Sequence, residues 1–219
     1  MSPRRRSSPA GLWLGAPLLA TGLLLVIWAV RPLPAALETI PLGRLDQLLP
    51  AHPAGSAAGG PTLSLLLRAP RVLRMGAQTQ VAALLAPEAD SIETAGLPSG
   101  FNLVAAAWIQ TSDLALDPNG EILEPLPAGG RASFTWRAAP LHTGDLDATL
   151  FVRLELVPQQ GGEVTSRTIL ARALPMHSTS PLGLTQSTAV ALGIAALLVG
   201  GVLVLGAWRG HRPARKAAS

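Results

Sequence analysis

An all-β antiparallel sandwich set between two transmembrane α-helices is the fold class this sequence predicts. Three observations predict it. Two charge-free apolar runs, residues 11–30 and 188–208, are each about one bilayer thick as a helix. Residues 131–174 alternate apolar and polar side chains with a period of two, interrupted by turn residues. Proline and glycine recur between the other alternating segments, as they do in sandwiches built from short strands.

The chain opens on a basic segment, residues 1–10, with Arg4, Arg5 and Arg6. No charge falls between Arg6 and Arg31, and Trp13 and Trp28 stand near the two ends of the first apolar run, as interfacial aromatics do. Pro17 lies inside the run, which membrane helices tolerate. The run is longer than the core of a cleaved signal, about 7–15 residues, so an uncleaved signal anchor over 11–30 is the preferred reading. Cleavage at Leu33-Pro34-Ala35, leaving a chain that begins near Ala36, is the competing one.

Residues 31–61 hold many of the Pro and Gly residues and predict a linker, with one or two helical turns over Leu42–Leu49. The sandwich is expected over 62–175. Thr62–Arg68 predicts a first strand with Leu63, Leu65 and Leu67 inward, stopped by Pro70. Gln78–Leu85 predicts a second, with Val81, Ala83 and Leu85 inward, stopped by Pro87. Ser91–Ala95 is a candidate short strand in a polar, turn-rich stretch. Phe101–Gln110 fits strand or helix. Its β surroundings favour a strand with Phe101, Leu103, Ala105, Ala107 and Ile109 on one face, although alanine is a poor strand former. Asp117-Pro118-Asn119-Gly120 has turn chemistry, and Glu121–Leu126 is a short segment before Pro127.

The clearest strand signal follows. Ala132, Phe134, Trp136 and Ala138 would share one face, and Arg131, Ser133, Thr135 and Arg137 the other. Pro140 has no N–H for a ladder and ends the strand; Gly144 suits a turn with positive φ. Leu146, Ala148, Leu150, Val152, Leu154 and Leu156 then alternate with Asp147, Thr149, Phe151, Arg153 and Glu155, which predicts one half-buried antiparallel strand. Gln159-Gln160-Gly161-Gly162 has hairpin-loop chemistry, and Val164–Leu174 is a return strand whose weaker alternation suits an edge. About seven strands result.

Residues 176–187 predict a short tether, 188–208 the second transmembrane helix, and 209–219 a basic tail with Arg209, Arg212, Arg215 and Lys216. Basic residues at the outer ends of both spans put both termini in the cytoplasm by the positive-inside rule. The chain is then a two-pass protein of the cell (inner) membrane with its central domain extracytoplasmic. Arg31 opposes this orientation and is outnumbered by Arg4–Arg6. Charge is segregated to match. The section from Pro32 to Leu184 holds nine Arg against thirteen Asp or Glu, whereas the flanks hold eight basic residues and no acidic one. The basic character therefore belongs to the ends, and no basic patch on a folded domain argues for nucleic acid.

The chain has no Cys, so an exported domain folds by its core alone, without disulfides, thiolate metal ligands or a thiol nucleophile. Neither Asn102 nor Asn119 starts an Asn-x-Ser/Thr sequon. The wealth of Ala, Leu, Arg, Pro and Gly resembles the composition of a high-GC bacterium. Trp136-x3-Pro140-x3-Gly144, with the long strand, glycine turn and return strand behind it, resembles the C-terminal half of immunoglobulin-like or fibronectin-like modules of bacterial envelope proteins. The resemblance covers about 62–175, with its specific part in 131–174. The Cys pair and tyrosine corner of true immunoglobulin domains are absent. The resemblance implies an immunoglobulin-like sandwich serving as a binding or scaffold module, and it brings no catalytic residue.

The residues offer no catalytic constellation, no cofactor site and no metal site. His52, His142, His177 and His211 are scattered and form no His-x-x-x-His pair. His142 reads as a solvated turn residue. Gly59-Gly60, Gly129-Gly130 and Gly161-Gly162 lack the Lys or helix of a phosphate cradle. Asp113, Asp117, Glu121 and Glu124 form the densest acidic cluster. Within it Asp117-x-Asn119-x-Glu121 is a faint echo of a calcium loop, set against a solvated turn. Gly11-x3-Gly15 and Ala196-x3-Gly200 permit close helix packing, equally within this chain or against a partner. The expected function is a non-catalytic binding, scaffold or accessory subunit of an envelope complex, with the membrane and another membrane or envelope protein as partners. A ligand or stress sensor relaying to a partner is the alternative, and an enzyme whose site assembles only in space is the next.

Overall fold

The computed structural model describes residues 10–45, 62–88, 100–127 and 130–210. They divide into two units: the β structure within Leu33–Ser180, and a pair of terminal helices.

Alternating side chains give the β unit its two-sided strands. In chain order these are β1 (Ala35–Arg44), β2 (Thr62–Pro70), β3 (Val72–Arg74), β4 (Thr79–Pro87), β5 (Phe101–Thr111) and β6 (Leu114–Asp117). They continue as β7 (Ile122–Pro125), β8 (Ala132–Pro140), β9 (Gly144–Leu146), β10 (Ala148–Pro158), β11 (Thr165–Ala173) and β12 (Met176–Thr179). One sheet has the order β1-β2-β4-β8-β6 and a second the order β11-β10-β5-β7, both antiparallel throughout. A third, small sheet has the order β3-β12-β9, and β12 runs parallel to β3.

The inner faces of the two larger sheets meet in one core. Leu63, Leu65, Val81, Leu85, Phe134 and Trp136 come from the first, and Leu150, Val152, Leu154 and Leu156 from the second. Burying each such side chain is worth about 1.5–3 kcal/mol, so the alternation is the main term holding the sandwich together. The first-sheet strands β2, β4 and β8 bury the residues their alternation predicts. In β5 Leu103, Ala105, Ala107 and Ile109 are buried as expected, while Phe101 is exposed at the strand's start.

Five expectations need correction. The linker expected over 31–61 contains β1, a ten-residue strand hydrogen-bonded along β2. Of the helical turns expected over Leu42–Leu49, Leu42–Arg44 are strand, Leu45 is helical, and residues 46–49 lie outside the described residues. Pro41 and Gly43 read as breakers in sequence, yet β1 is an edge strand and takes them up as a register shift between Pro41 and Gly43. The tether expected over 176–187 begins with β12. The long strand expected from Leu146 starts at Ala148, because the backbone N–H of Asp147 donates to the Asp113 carboxylate at 2.7 Å and Leu146 belongs to the small sheet. Among the described residues there are twelve strands, against an expectation of about seven. The candidate strand at Ser91–Ala95 and the linker portion Ala51–Pro61 lie outside the described residues.

The outer face of the second sheet carries an aromatic stack. Phe151 stacks on Trp108 with centroids 5.1 Å apart, and the Arg153 guanidinium lies 5.6 Å from the Trp108 ring. Arg153 is held between Glu121 and Glu155, each at 2.8 Å. Each component therefore covers another.

The helices are α1 (Ala10–Val30) and α2 (Gln186–Gly210), each long and apolar enough to cross a bilayer. The second was expected over 188–208. They pack antiparallel, glycine against glycine. A Cβ on Gly22 would lie 2.7 Å from the Gly193 carbonyl oxygen, and one on Gly200 would lie 3.0 Å from that of Gly15. Ala29 is buried one turn-pair further on, where the Gln186 Nε2 donates to its carbonyl at 2.6 Å. Contacts recur every seventh residue, the coiled-coil spacing, rather than at the small-x3-small spacing suggested by Gly11-x3-Gly15 and Ala196-x3-Gly200. The packing lies within this chain.

Candidate functional site

Two features of the β unit gather polar chemistry: the segment 141–147 with its neighbours, and a cavity at the open side of the sandwich.

Segment 141–147 joins β8 to β10. Asp113, between β5 and β6, ties it down. Its carboxylate accepts from the Asp147 N–H at 2.7 Å and the Ser112 hydroxyl at 2.8 Å, and lies 3.3 Å from His142 Nε2. The Thr111 hydroxyl donates to the Asp147 carbonyl at 2.6 Å, and the Leu141 N–H donates to the Asp113 carbonyl at 2.9 Å. On the other side Asp145 pairs with His177 of β12 at 2.8 Å. The bonds from Asp147, Ser112 and His142 hold the Asp113 carboxyl below its usual range. His142 is raised by its contact with the Thr143 carbonyl and then by Asp113.

A lowered Asp113 stabilises the folded state above its ordinary range and loses that contribution as pH falls through its folded value. A raised His142 contributes below the ordinary imidazole range and loses it as pH rises through its folded value. Protection of the Asp147 amide, relative to intrinsic exchange at the same pH, should therefore be greatest at mildly acidic pH and fall on both sides. Asp113→Asn should remove the acid limb. Hydrogen-exchange mass spectrometry of the 141–147 peptide across pH checks this.

The sequence placed His142 in a turn but gave no sign that Asp113 faces it. His177 falls in the segment the sequence predicts as a tether, which gives no sign of its pairing with Asp145. His52, His211 and the Gly59-Gly60 pair lie outside the described residues, and Gly161-Gly162 forms the expected hairpin, both at positive φ. The carboxylates of the calcium-loop echo go to arginines instead: Asp117 to Arg137 at 3.9 Å and Glu121 to Arg153 at 2.8 Å. Among the described residues no group of three or more His, Asp or Glu side chains is placed to hold a metal ion.

The cavity, of about 280 Å³, opens between β1 and the chain at the end of β11. Leu67, Leu174 and Met176 form a buried floor, and Glu38, Arg71 and Arg172 are its charged lining. Glu38 and Arg172 form an ion pair that joins the edge of one sheet to the edge of the other.

No protein-family model matches the chain, and no curated protein matches it. Among solved structures, the cupredoxin domain of amoB from Nitrosocaldus yellowstonii is similar over 46% of this chain, with 14% identity and a TM-score of 0.26. The match spans about half of that structure, 55% of its length. What the chain supports on its own is a class: a mostly antiparallel β-sandwich flanked by two apolar helices.

Proposed function

We propose that the chain is a membrane-anchored, non-catalytic binding or accessory subunit, its sandwich held outside the cytoplasm by α1 and α2 as two membrane spans. The glycine-to-glycine packing of the two apolar helices carries this reading. A cleaved signal would leave the glycine face of α2 without its partner, so the packing favours a retained α1. The basic residues at the outer ends of both helices favour cytoplasmic termini.

An immunoglobulin-like type for the sandwich is supported by strand order. β2-β4-β8-β6 follows the A-B-E-D order of constant-type domains, and β11-β10-β5 follows G-F-C. Strand β7, which pairs with β5, and strand β1, which pairs with β2, are additions. The buried tryptophan also departs from that pattern, standing on β8 where immunoglobulin domains carry one on strand C.

The partner is another membrane or envelope protein. In-cell crosslinking followed by mild-detergent purification and mass spectrometry should recover one dominant membrane partner. Recovery of the chain alone after crosslinking would count against an accessory role.

A further inference from the structure

We propose that the cavity between β1 and the end of β11 is a binding site for a small amphipathic carboxylate. The proposal goes beyond the accessory reading and does not depend on it. The floor is apolar: Leu67 is 3% exposed, and Leu174 and Met176 are each 4% exposed. Its volume of about 280 Å³ stands near the lower end of small-molecule pockets, about 300–1,000 Å³. Apolar walls with a few polar groups at the rim are the usual make-up of such sites.

The charges choose the ligand. Glu38 and Arg172 satisfy each other across the mouth. Arg71, in the turn between β2 and β3, is exposed and has no ion pair among the described residues. A carboxylate gains a charge-assisted pair with Arg71 and a short apolar tail covers the floor. A cation would find its only carboxylate, Glu38, already engaged. The site is also well placed along the chain. Ala36–Glu38 follow α1 by a few residues, and Arg172–Met176 run from the end of β11 into β12, ahead of α2. A ligand there would tie together the two segments that lead into the helices, which is what a sensor requires.

The test is calorimetric titration of the full chain in lipid nanodiscs with hexanoate, hexylammonium and hexanol, with empty nanodiscs as the blank. The expected result is saturable one-site binding of hexanoate above the blank, at least about tenfold tighter than either other probe, and weakened about tenfold in Arg71→Ala. Arg71→Lys should retain most of the binding, because it keeps the charge. Unfolding curves that match the parent chain establish that the variants are folded. Equal hexanoate affinity in folded Arg71→Ala, equal binding of hexanol, or no saturable signal through the millimolar range would each overturn the proposal.

Discussion

Trp136→Ala is expected to cost the sandwich about 3–5 kcal/mol, since Trp136 is the largest fully buried side chain among the described residues. Trp136 is fully buried at the centre of β8, beside Phe134, where the two larger sheets meet. Truncation removes the transfer energy of the indole and leaves a cavity that two hydrogen-bonded sheets cannot collapse to fill. Domains of this size are stable by about 5–15 kcal/mol, so the loss is a large share of the total. Trp136→Phe should cost much less than its volume change implies. The indole Nε1 is buried and has no hydrogen-bond partner among the described residues. Leaving such a donor unsatisfied costs about 1–3 kcal/mol, and Phe removes the donor with it. Urea unfolding followed by near-ultraviolet circular dichroism checks both. A Phe variant as damaged as the Ala variant would show that the donor is satisfied.

The second large effect is expected in the helix pair. Gly22→Leu drives a side chain into a site where even a Cβ would lie 2.7 Å from a backbone oxygen. Backbone cannot rotate away as a flexible side chain can, so the helices must separate. Overpacking of this kind costs about 1–3 kcal/mol, and here it also forfeits the close contact that drives association between apolar helices. Gly201→Leu is the control, since a Cβ there meets nothing within 4 Å. The chain has no Cys, so spin labels can be placed on single introduced cysteines, at Leu18 and Leu198 on exposed surface. Electron–electron resonance should give one narrow distance in the parent and in Gly201→Leu, and a longer, broader one in Gly22→Leu.

Much of the sandwich was legible because one buried face per strand leaves a period-two record. Strands β2, β4, β8 and the body of β10 wrote it plainly, each with large apolar residues at alternate positions. Other elements left no such record. Strand β1 was hidden by Pro41 and Gly43, which would break a central strand but not an edge. Strands β3 and β12 are three and four residues long, too short for alternation to be distinguished from chance. The break at Asp147 leaves no sequence sign because the apolar alternation runs straight through it; the Asp113 and Thr111 side chains, 34 and 36 residues away, divert that backbone.

The polar features followed the same logic. His142 was singled out, but its carboxylate partner came from another loop, and His177 met Asp145 only because β12 pairs with β9. The cavity has no sequence signature, since its walls come from β1, β2 and the end of β11. The helix contact did have one: Gly15 and Gly22, like Gly193 and Gly200, are seven apart, whereas attention to the four-residue spacing picked out only one member of each pair.

Impermeant-maleimide labelling of single introduced cysteines in intact cells reads which side of the membrane holds the sandwich. Glu163→Cys lies on the exposed β10–β11 hairpin and Ser219→Cys at the end of the basic tail. The Glu163→Cys thiol should react from outside, once any outer barrier is opened, and the Ser219→Cys thiol should react only after lysis. Protection of the hairpin thiol in cells whose outer barrier is open, or labelling of the tail thiol without lysis, would contradict a sandwich held outside the cytoplasm by two spans.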